Sequence, residues 1–131
     1  MGQQQLLLII LGVIIVGIAI AVGLSLFSAQ SVQSNKDAMI NDINNLAANA
    51  YQFYIRPVSM AGGGGSYTGG NGYKVPYKLS SNDNATYAAA VGAALVTFTG
   101  TSVTQSPTST VVGAVDDKGK VTFSSFTGNF Q

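Results

Sequence analysis

An almost unbroken apolar run occupies residues 6–27, and the first charged side chain of this sequence is Lys36. The run reads LLLIILGVIIVGIAIAVGLSLF, and only Ser25 and three glycines interrupt it. As a helix it would be about 33 Å long, enough to cross the roughly 30 Å hydrocarbon core of a bilayer. It is apolar on every side, so a small polar domain cannot cover it. The sequence therefore predicts a segment that is sheltered by lipid or by copies of itself.

Composition excludes several classes of function. The formal net charge of +1 provides no basic surface for nucleic acid. The chain has no histidine and no cysteine, which removes the usual metal ligands and the usual nucleophile–base pairs. Its only acidic residues are 5 scattered aspartates. We therefore expect no catalytic activity, no metal or other cofactor, and no nucleic-acid partner.

Three ordinary interpretations compete for the apolar run. A cleaved secretory signal is disfavoured, because its apolar part is usually about 7–15 residues long and follows a basic segment. The core helix of a soluble protein is disfavoured, because this run has no polar face. A single membrane-spanning anchor remains open, although no basic side chain precedes the run to set its orientation.

A fourth interpretation rests on the run together with the residues before it. The segment MGQQQLLLIILGVIIVGIAIAVGLSLF resembles the mature N-terminus of type IV pilins and related filament subunits. In that family a hydrophobic, commonly methylated first residue is followed four positions later by a polar residue, usually glutamate, and then by a Leu-rich stretch. Here Gln5 lies at the glutamate position. The resemblance covers about residues 1–54 and implies a homo-oligomer, a helical filament of identical subunits.

This sequence departs from the family pattern at two places. Gln5 can hydrogen-bond the N-terminal amine of a neighbouring subunit but cannot form an ion pair with it, and a neutral amide costs less to bury than an unpaired carboxylate. Val22 lies where many bacterial members have a proline that loosens the helix. Gly12, Gly17 and Gly23 are expected either to loosen the helix instead or to be points where packed helices approach closely.

The resemblance also implies which residues form the filament core and how the chain is processed. Met1 is expected to be the mature, methylated N-terminus, and cleavage after Gly2 is the alternative. Before assembly the run would anchor the chain in the inner membrane, from which a pilus assembly machinery would extract it; bacterial and archaeal origins both stay open. The expected core interface comprises Met1, Gln5, Leu6, Leu7, Leu8, Ile9, Leu11, Ile14, Ile15, Ile18, Ile20, Leu24 and Phe27.

Beyond the run, residues 28–56 are predicted to continue the same helix with one apolar face. Apolar side chains recur at steps of three, four and seven residues, while Lys36, Asp42 and Asn49 are expected to face away from them. Pro57 is expected to end the helix, because a proline disfavours helical geometry at the residue before it.

The segment 57–73 contains the glycine-rich sequence AGGGGSYTGGNGY. Its composition is that of a flexible linker. The alternative is an ordered loop whose tyrosines, Tyr67 and Tyr73, anchor it on a neighbouring surface.

Residues 74–131 are predicted to form an antiparallel β domain. The expected strands are Tyr73–Leu79, Leu95–Thr99, Thr110–Val115 and Lys120–Phe126, of which the last two form a hairpin. The Ala-rich sequence before Leu95 is compatible with helix or strand. About four strands packed on the helix would give an α+β, pilin-like fold.

Two local motifs in this domain suggest modification or ion binding. The triplet that begins at Asn84 matches a glycosylation acceptor, so Asn84 is a candidate site. The pair Asp116-Asp117, with Asp83, lacks the spacing of a calcium loop, which favours an ordinary hairpin turn.

The sequence thus favours the major structural subunit of an extracellular, surface-attached filament with an adhesive role and no enzymatic activity. A minor pilin or pseudopilin of a secretion or DNA-uptake machine is the first alternative. A single-pass membrane protein that displays a small β-rich binding module is the second.

Overall fold

The computed structural model describes residues 2–105 and 108–131 and shows an α+β protein. The helices are α1 (Gly2–Ile55) and the short α2 (Tyr77–Ser80), with 3-10 turns at Val58–Met60 and Gly128–Phe130. The strands are β1 (Ala85–Val91), β2 (Leu95–Ser102), β3 (Thr110–Asp116) and β4 (Val121–Phe126). The predicted class, a long apolar N-terminal helix with a four-stranded antiparallel sheet, is confirmed.

The chain forms two compact units, one that ends at Gln33 and one that comprises Ser34–Gln131. Helix α1 contributes to both, because no proline interrupts it before Pro57, and it ends at Ile55 as the sequence predicts. The described part of the first unit is helix alone, whereas the second combines the part of α1 from Ser34 to Ile55 with the sheet.

The sheet is a simple antiparallel meander in the order β1-β2-β3-β4. Successive side chains of β2 and β3 point alternately to the buried face and to the outer face of the sheet, as the period of two along a strand requires. The buried side chains of β2 and β3 include Val96, Phe98, Val111 and Val115. From α1 the same core receives Met39, Ile43, Leu46, Ala47 and Ala50, all with at most 1% of their surface exposed.

Two glycines in the middle of the sheet allow α1 to approach it closely. A Cβ atom at Gly113 would lie 2.9 Å from Cγ2 of Ile43 and 3.0 Å from the ring of Phe123. A Cβ atom at Gly100 would lie 3.1 Å from the terminal methyl carbon of Met39. Helix and sheet are therefore packed so closely at these two glycines that a larger residue would require the neighbouring side chains to move.

The glycine-rich segment after α1 caps the helix end. Because Pro57 has no N–H, the carbonyl of Phe53 lacks its ordinary helical donor. The backbone amide of Gly63 donates to that carbonyl at 2.7 Å. The amides of the next two glycines donate to the carbonyls of Arg56 and Tyr54, at 2.9 and 2.8 Å. One loop thus satisfies three carbonyls at the end of α1.

Two tyrosines anchor this loop on the rest of the second unit. The ordered-loop interpretation is therefore confirmed and the linker interpretation is wrong. Tyr67 is fully buried, and its hydroxyl donates to the carbonyl of Asp116 at 2.6 Å. Tyr73 is 5% exposed, and its hydroxyl donates to Oδ1 of Asn49 at 3.2 Å. Burial of these rings offsets the entropy lost when a glycine-rich segment becomes ordered.

Three polar residues of α1 that were expected to face away from the core instead form hydrogen bonds with other parts of the second unit. Besides Asn49, the carboxylate of Asp42 accepts hydrogen bonds from the hydroxyl of Tyr87 at 2.5 Å and from the amide of Asn82 at 2.8 Å. The ammonium of Lys36 donates to the carbonyl of Phe130 at 3.2 Å. These side chains flank the apolar face and reach around its edges, which the period of the apolar residues does not reveal.

A buried polar contact that the sequence did not predict lies where the second unit begins. The amide oxygen of Asn35 accepts a hydrogen bond from the hydroxyl of Ser102 at 2.8 Å, and both residues are buried. Its amide nitrogen donates to the carbonyl of Asn84 at 3.4 Å. A buried amide satisfied in this way fixes the register of α1 against the sheet.

The predicted strand Tyr73–Leu79 is wrong. Pro76 precedes the short helix α2, and the segment pairs with no strand. The sheet has four strands because the Ala-rich sequence before Leu95, which is compatible with helix or strand, forms β1. Pairing with β2 outweighs the weak β preference of alanine there. The predicted hairpin is confirmed as β3 and β4.

We expect Gly63→Ala to destabilise the second unit by about 1–3 kcal/mol, because its Cβ would lie 1.9 Å from the carbonyl oxygen of Ser66. The measurement is denaturant unfolding of the full chain in detergent micelles, followed by the near-ultraviolet circular dichroism of its tyrosines. Gly23→Ala is the matched control, because a Cβ there meets nothing within 4 Å. Equal stability of the two variants would contradict the capping role of the loop.

Alkaline pH is expected to destabilise the second unit. Burial raises the pKa of Tyr67 to about 12, with a smaller effect of the nearby Asp116, and burial alone raises the pKa of Tyr73 to about 12. A tyrosine in the unfolded chain has a pKa of about 10. The native state therefore keeps protons that the unfolded state releases, so this stability is complete below about pH 10 and is lost as the pH rises towards 12.

The same unfolding experiment, repeated across this pH range, measures the loss. Tyr73→Phe removes one of the buried phenols whose pKa is raised, and it is expected to make the pH dependence shallower. An unfolding free energy that does not change between pH 10 and 12 would contradict the burial of these hydroxyls.

Candidate functional site

The first unit exposes its large apolar side chains on all sides of α1. They range from Leu11, 51% exposed, to Phe27, 74% exposed. The most apolar 18-residue window of α1 has a mean hydropathy of 3.2, and none of it is buried. By length and composition this helix is suited to cross a membrane, which is typical of a membrane anchor and also of a signal segment.

Exposed hydrocarbon of this extent determines what the segment can do. Each Leu, Ile, Val or Phe side chain gains about 1.5–3 kcal/mol when it is moved from water to an apolar environment. Over the whole run this amounts to tens of kcal/mol, more than the net stability of a typical domain. In water the segment would therefore favour contact with lipid or with other apolar helices.

Nearly all the residues that the sequence resemblance predicts for the filament-core interface lie on this exposed helix. Gln5 is exposed in the first turns of α1, and Met1 lies outside the described residues. The apolar members are all more than half exposed: Leu6, Leu7, Leu8, Ile9, Leu11, Ile14, Ile15, Ile18, Ile20, Leu24 and Phe27.

Five further apolar side chains share the same exposure and were not selected from the sequence. They are Ile10, Val13, Val16, Val22 and Leu26, each exposed by 53–67%. The signal that identifies them is the same absence of a polar face. The exposed apolar surface therefore covers the whole circumference of the helix and is not confined to one stripe.

The three glycines of the run lie within uninterrupted α-helix. A Cβ atom added at Gly12, Gly17 or Gly23 would meet nothing within 4 Å. Gly12 and Gly23 are separated by three turns, so they lie on nearly the same side of the helix, about 20° apart. Both expected roles, loosening of the helix and close approach of a neighbouring helix, remain predictions.

The candidate glycosylation and ion-binding motifs both lie in turns of the second unit. Asn84 is partly exposed, and its backbone amide donates to Oδ1 of Asn82 at 2.9 Å. The carboxylate of Asp116 accepts from the amides of Lys118 and Lys120, both at 2.9 Å, which lowers the pKa of Asp116. Asp116 therefore stabilises the β3–β4 turn, and the described residues include no cluster of acidic residues that could hold a metal.

No protein-family model, curated protein or solved structure matches this chain.

Removal of detergent provides a direct test of the exposed helix. We expect the full chain to leave the monomeric state when detergent is removed, because residues 6–27 then have only other chains to contact. A fragment comprising Ser34–Gln131 is expected to stay monomeric, since its apolar core is internal. Sedimentation velocity measures both, and a stable detergent-free monomer of the full chain would contradict this role of the helix.

Proposed function

We propose that this chain is the major structural subunit of an extracellular filament of the type IV pilus kind. The observation that carries the proposal is the helix of the first unit, apolar and exposed over its full circumference from Leu6 to Phe27. Before assembly this helix anchors the chain in a membrane. In the filament it lies among the same helices of other subunits.

The proposed transfer of the apolar segment from membrane to filament changes its hydrophobic free energy little. Lipid tails and a bundle of apolar helices are both dry, so moving the segment between them exposes little hydrocarbon to water. Van der Waals packing must then favour the bundle, and small residues permit the closest approach of neighbouring backbones. Gly12 and Gly23, on nearly one side of α1, fit such contacts.

The lack of charge in the segment supports the same proposal. No charged side chain occurs before Lys36, so no side-chain ion has to be desolvated when the helices associate. Gln5 is the last polar side chain before the run. Its neutral amide can donate and accept hydrogen bonds at the same time, which suits a contact with the N-terminal amine of a neighbouring subunit.

The second unit suits the outer part of such a filament. It is held together by a compact core and by hydrogen bonds between α1 and the sheet, although the chain has no cysteine for a disulfide. Repetition of one heterologous contact that does not close into a ring generates a helical polymer. Attachment to surfaces would then be a property of the exposed second units.

Electron microscopy of material sheared from the surface of cells that produce the protein tests this proposal. We expect fibres that contain this chain, identified by mass spectrometry of the purified fibres. Recovery of the chain only from membranes would contradict the proposal and favour a single-pass membrane protein.

A single charge in the run should abolish these fibres. Ile14→Arg places a guanidinium in the dry bundle, where it has no partner and its desolvation is costly. Ile14→Leu is the matched control, because it keeps the volume and the apolar character of the position. We expect normal fibres for the leucine variant and at least a tenfold loss of fibres for the arginine variant, counted at equal expression. Normal fibres from both variants would place residue 14 outside the filament core.

A further inference from the structure

A polar groove of about 230 Å³ opens on the second unit beside the last turns of α1. Gln52, Phe53 and Arg56 line it from the helix, and Tyr73 and Lys74 line it from the segment that follows the glycine-rich loop. A groove of this size has room for one small sugar ring.

The groove contains two cations and no acidic residue. In the part of the chain that the structure describes, neither the guanidinium of Arg56 nor the ammonium of Lys74 has a hydrogen-bond or ion-pair partner. The carbonyls at the end of α1 do not engage Arg56, because amides of the glycine-rich loop already bind them. The groove therefore presents a positive potential that the protein itself leaves unneutralised.

Neutral donors and an aromatic wall accompany the two cations. Oδ1 of Asn49 accepts the hydroxyl of Tyr73, so the Nδ2 of this amide remains available as a donor. The exposed amide of Gln52 adds both a donor and an acceptor. The ring of Phe53 is held 5.8 Å from the ring of Tyr73, centroid to centroid, and supplies apolar surface.

We propose that this groove binds one acidic sugar residue, such as a hexuronate. The planar guanidinium of Arg56 takes the carboxylate through two parallel hydrogen bonds, and Lys74 adds a second positive charge. The side-chain amides of Asn49 and Gln52 bind ring hydroxyls. The C–H face of the sugar packs against Phe53.

The chemistry of the groove favours an acidic sugar over nucleic acid. A nucleic-acid surface neutralises a row of phosphates with many lysines and arginines, whereas this groove has two cations and the chain a net charge of +1. Amides suited to hydroxyl groups lie beside the charges. The inference does not depend on filament assembly, because every residue of the groove belongs to the second unit of one chain.

The test uses the full chain in an uncharged polyoxyethylene detergent, which contains no sugar. Sodium galacturonate is titrated while saturation transfer NMR detects its contact with the protein, and galactose serves as the neutral control. We expect saturable binding of galacturonate with a dissociation constant on the order of millimolar, at least tenfold tighter than that of galactose. Raising the salt from about 50 to about 200 mM should weaken it.

Substitutions then locate the site. Arg56→Gln and Lys74→Gln should each weaken galacturonate binding about tenfold, whereas Lys118→Gln, in the β3–β4 turn and outside the groove, should leave it unchanged. All three positions are exposed, and circular dichroism checks that each variant is folded.

Four results would overturn the proposal. The first is no saturable binding of galacturonate, and the second is equal binding of galactose. The third is an equal loss of binding in the Lys118→Gln variant, which would indicate attraction by net charge alone. The fourth is displacement of the sugar by a short single-stranded oligonucleotide that binds more tightly than galacturonate does, which would favour nucleic acid as the ligand.

Discussion

The arrangement of this protein depends on hydrocarbon that its own chain leaves exposed to water. From Leu6 to Phe27 every side of α1 is apolar, and the energy available from covering it exceeds the stability of an ordinary small domain. Charged side chains begin only at Lys36, next to Asn35, which bonds Ser102 of the sheet. The chemistry of the chain is thus divided along one helix: a part that requires an apolar environment is followed by a part that remains stable in water.

The second unit achieves its order with small residues and hydroxyl groups. Glycines within the sheet and in the loop after α1 remove the side chains that would keep backbones apart. Tyrosine hydroxyls then reach polar partners, Tyr67 at the carbonyl of Asp116 and Tyr87 at the carboxylate of Asp42. Each buried ring thereby contributes apolar area as well as a satisfied hydrogen bond. A domain of this size can in this way be ordered without disulfides, which often stabilise small extracellular folds.

Elements of the fold could be predicted from the sequence where they depend on residues that are close together along the chain. The continuous helix, its end before Pro57 and the β3–β4 hairpin follow from apolar period, proline and turn residues. The strand predicted at Tyr73–Leu79 was wrong, because its composition suits a strand but no neighbouring strand is available to it. The apolar helix of the candidate site was predicted almost completely. The groove was not, because Arg56 and Lys74 are brought together only by the folded loop between them.

The capped end of α1 determines how the second unit would respond to a pulling force. Hydrogen bonds join α1 to the sheet at Asn35 and Asp42 and to the segment after the glycine-rich loop at Asn49. The loop after Pro57 also binds the last carbonyls of the helix. Tension applied along the axis of α1 would therefore shear several hydrogen bonds and a close-packed interface simultaneously instead of peeling them apart one after another. Elements loaded in this parallel manner share the force, so the rupture of one bond does not transfer the full load to the next.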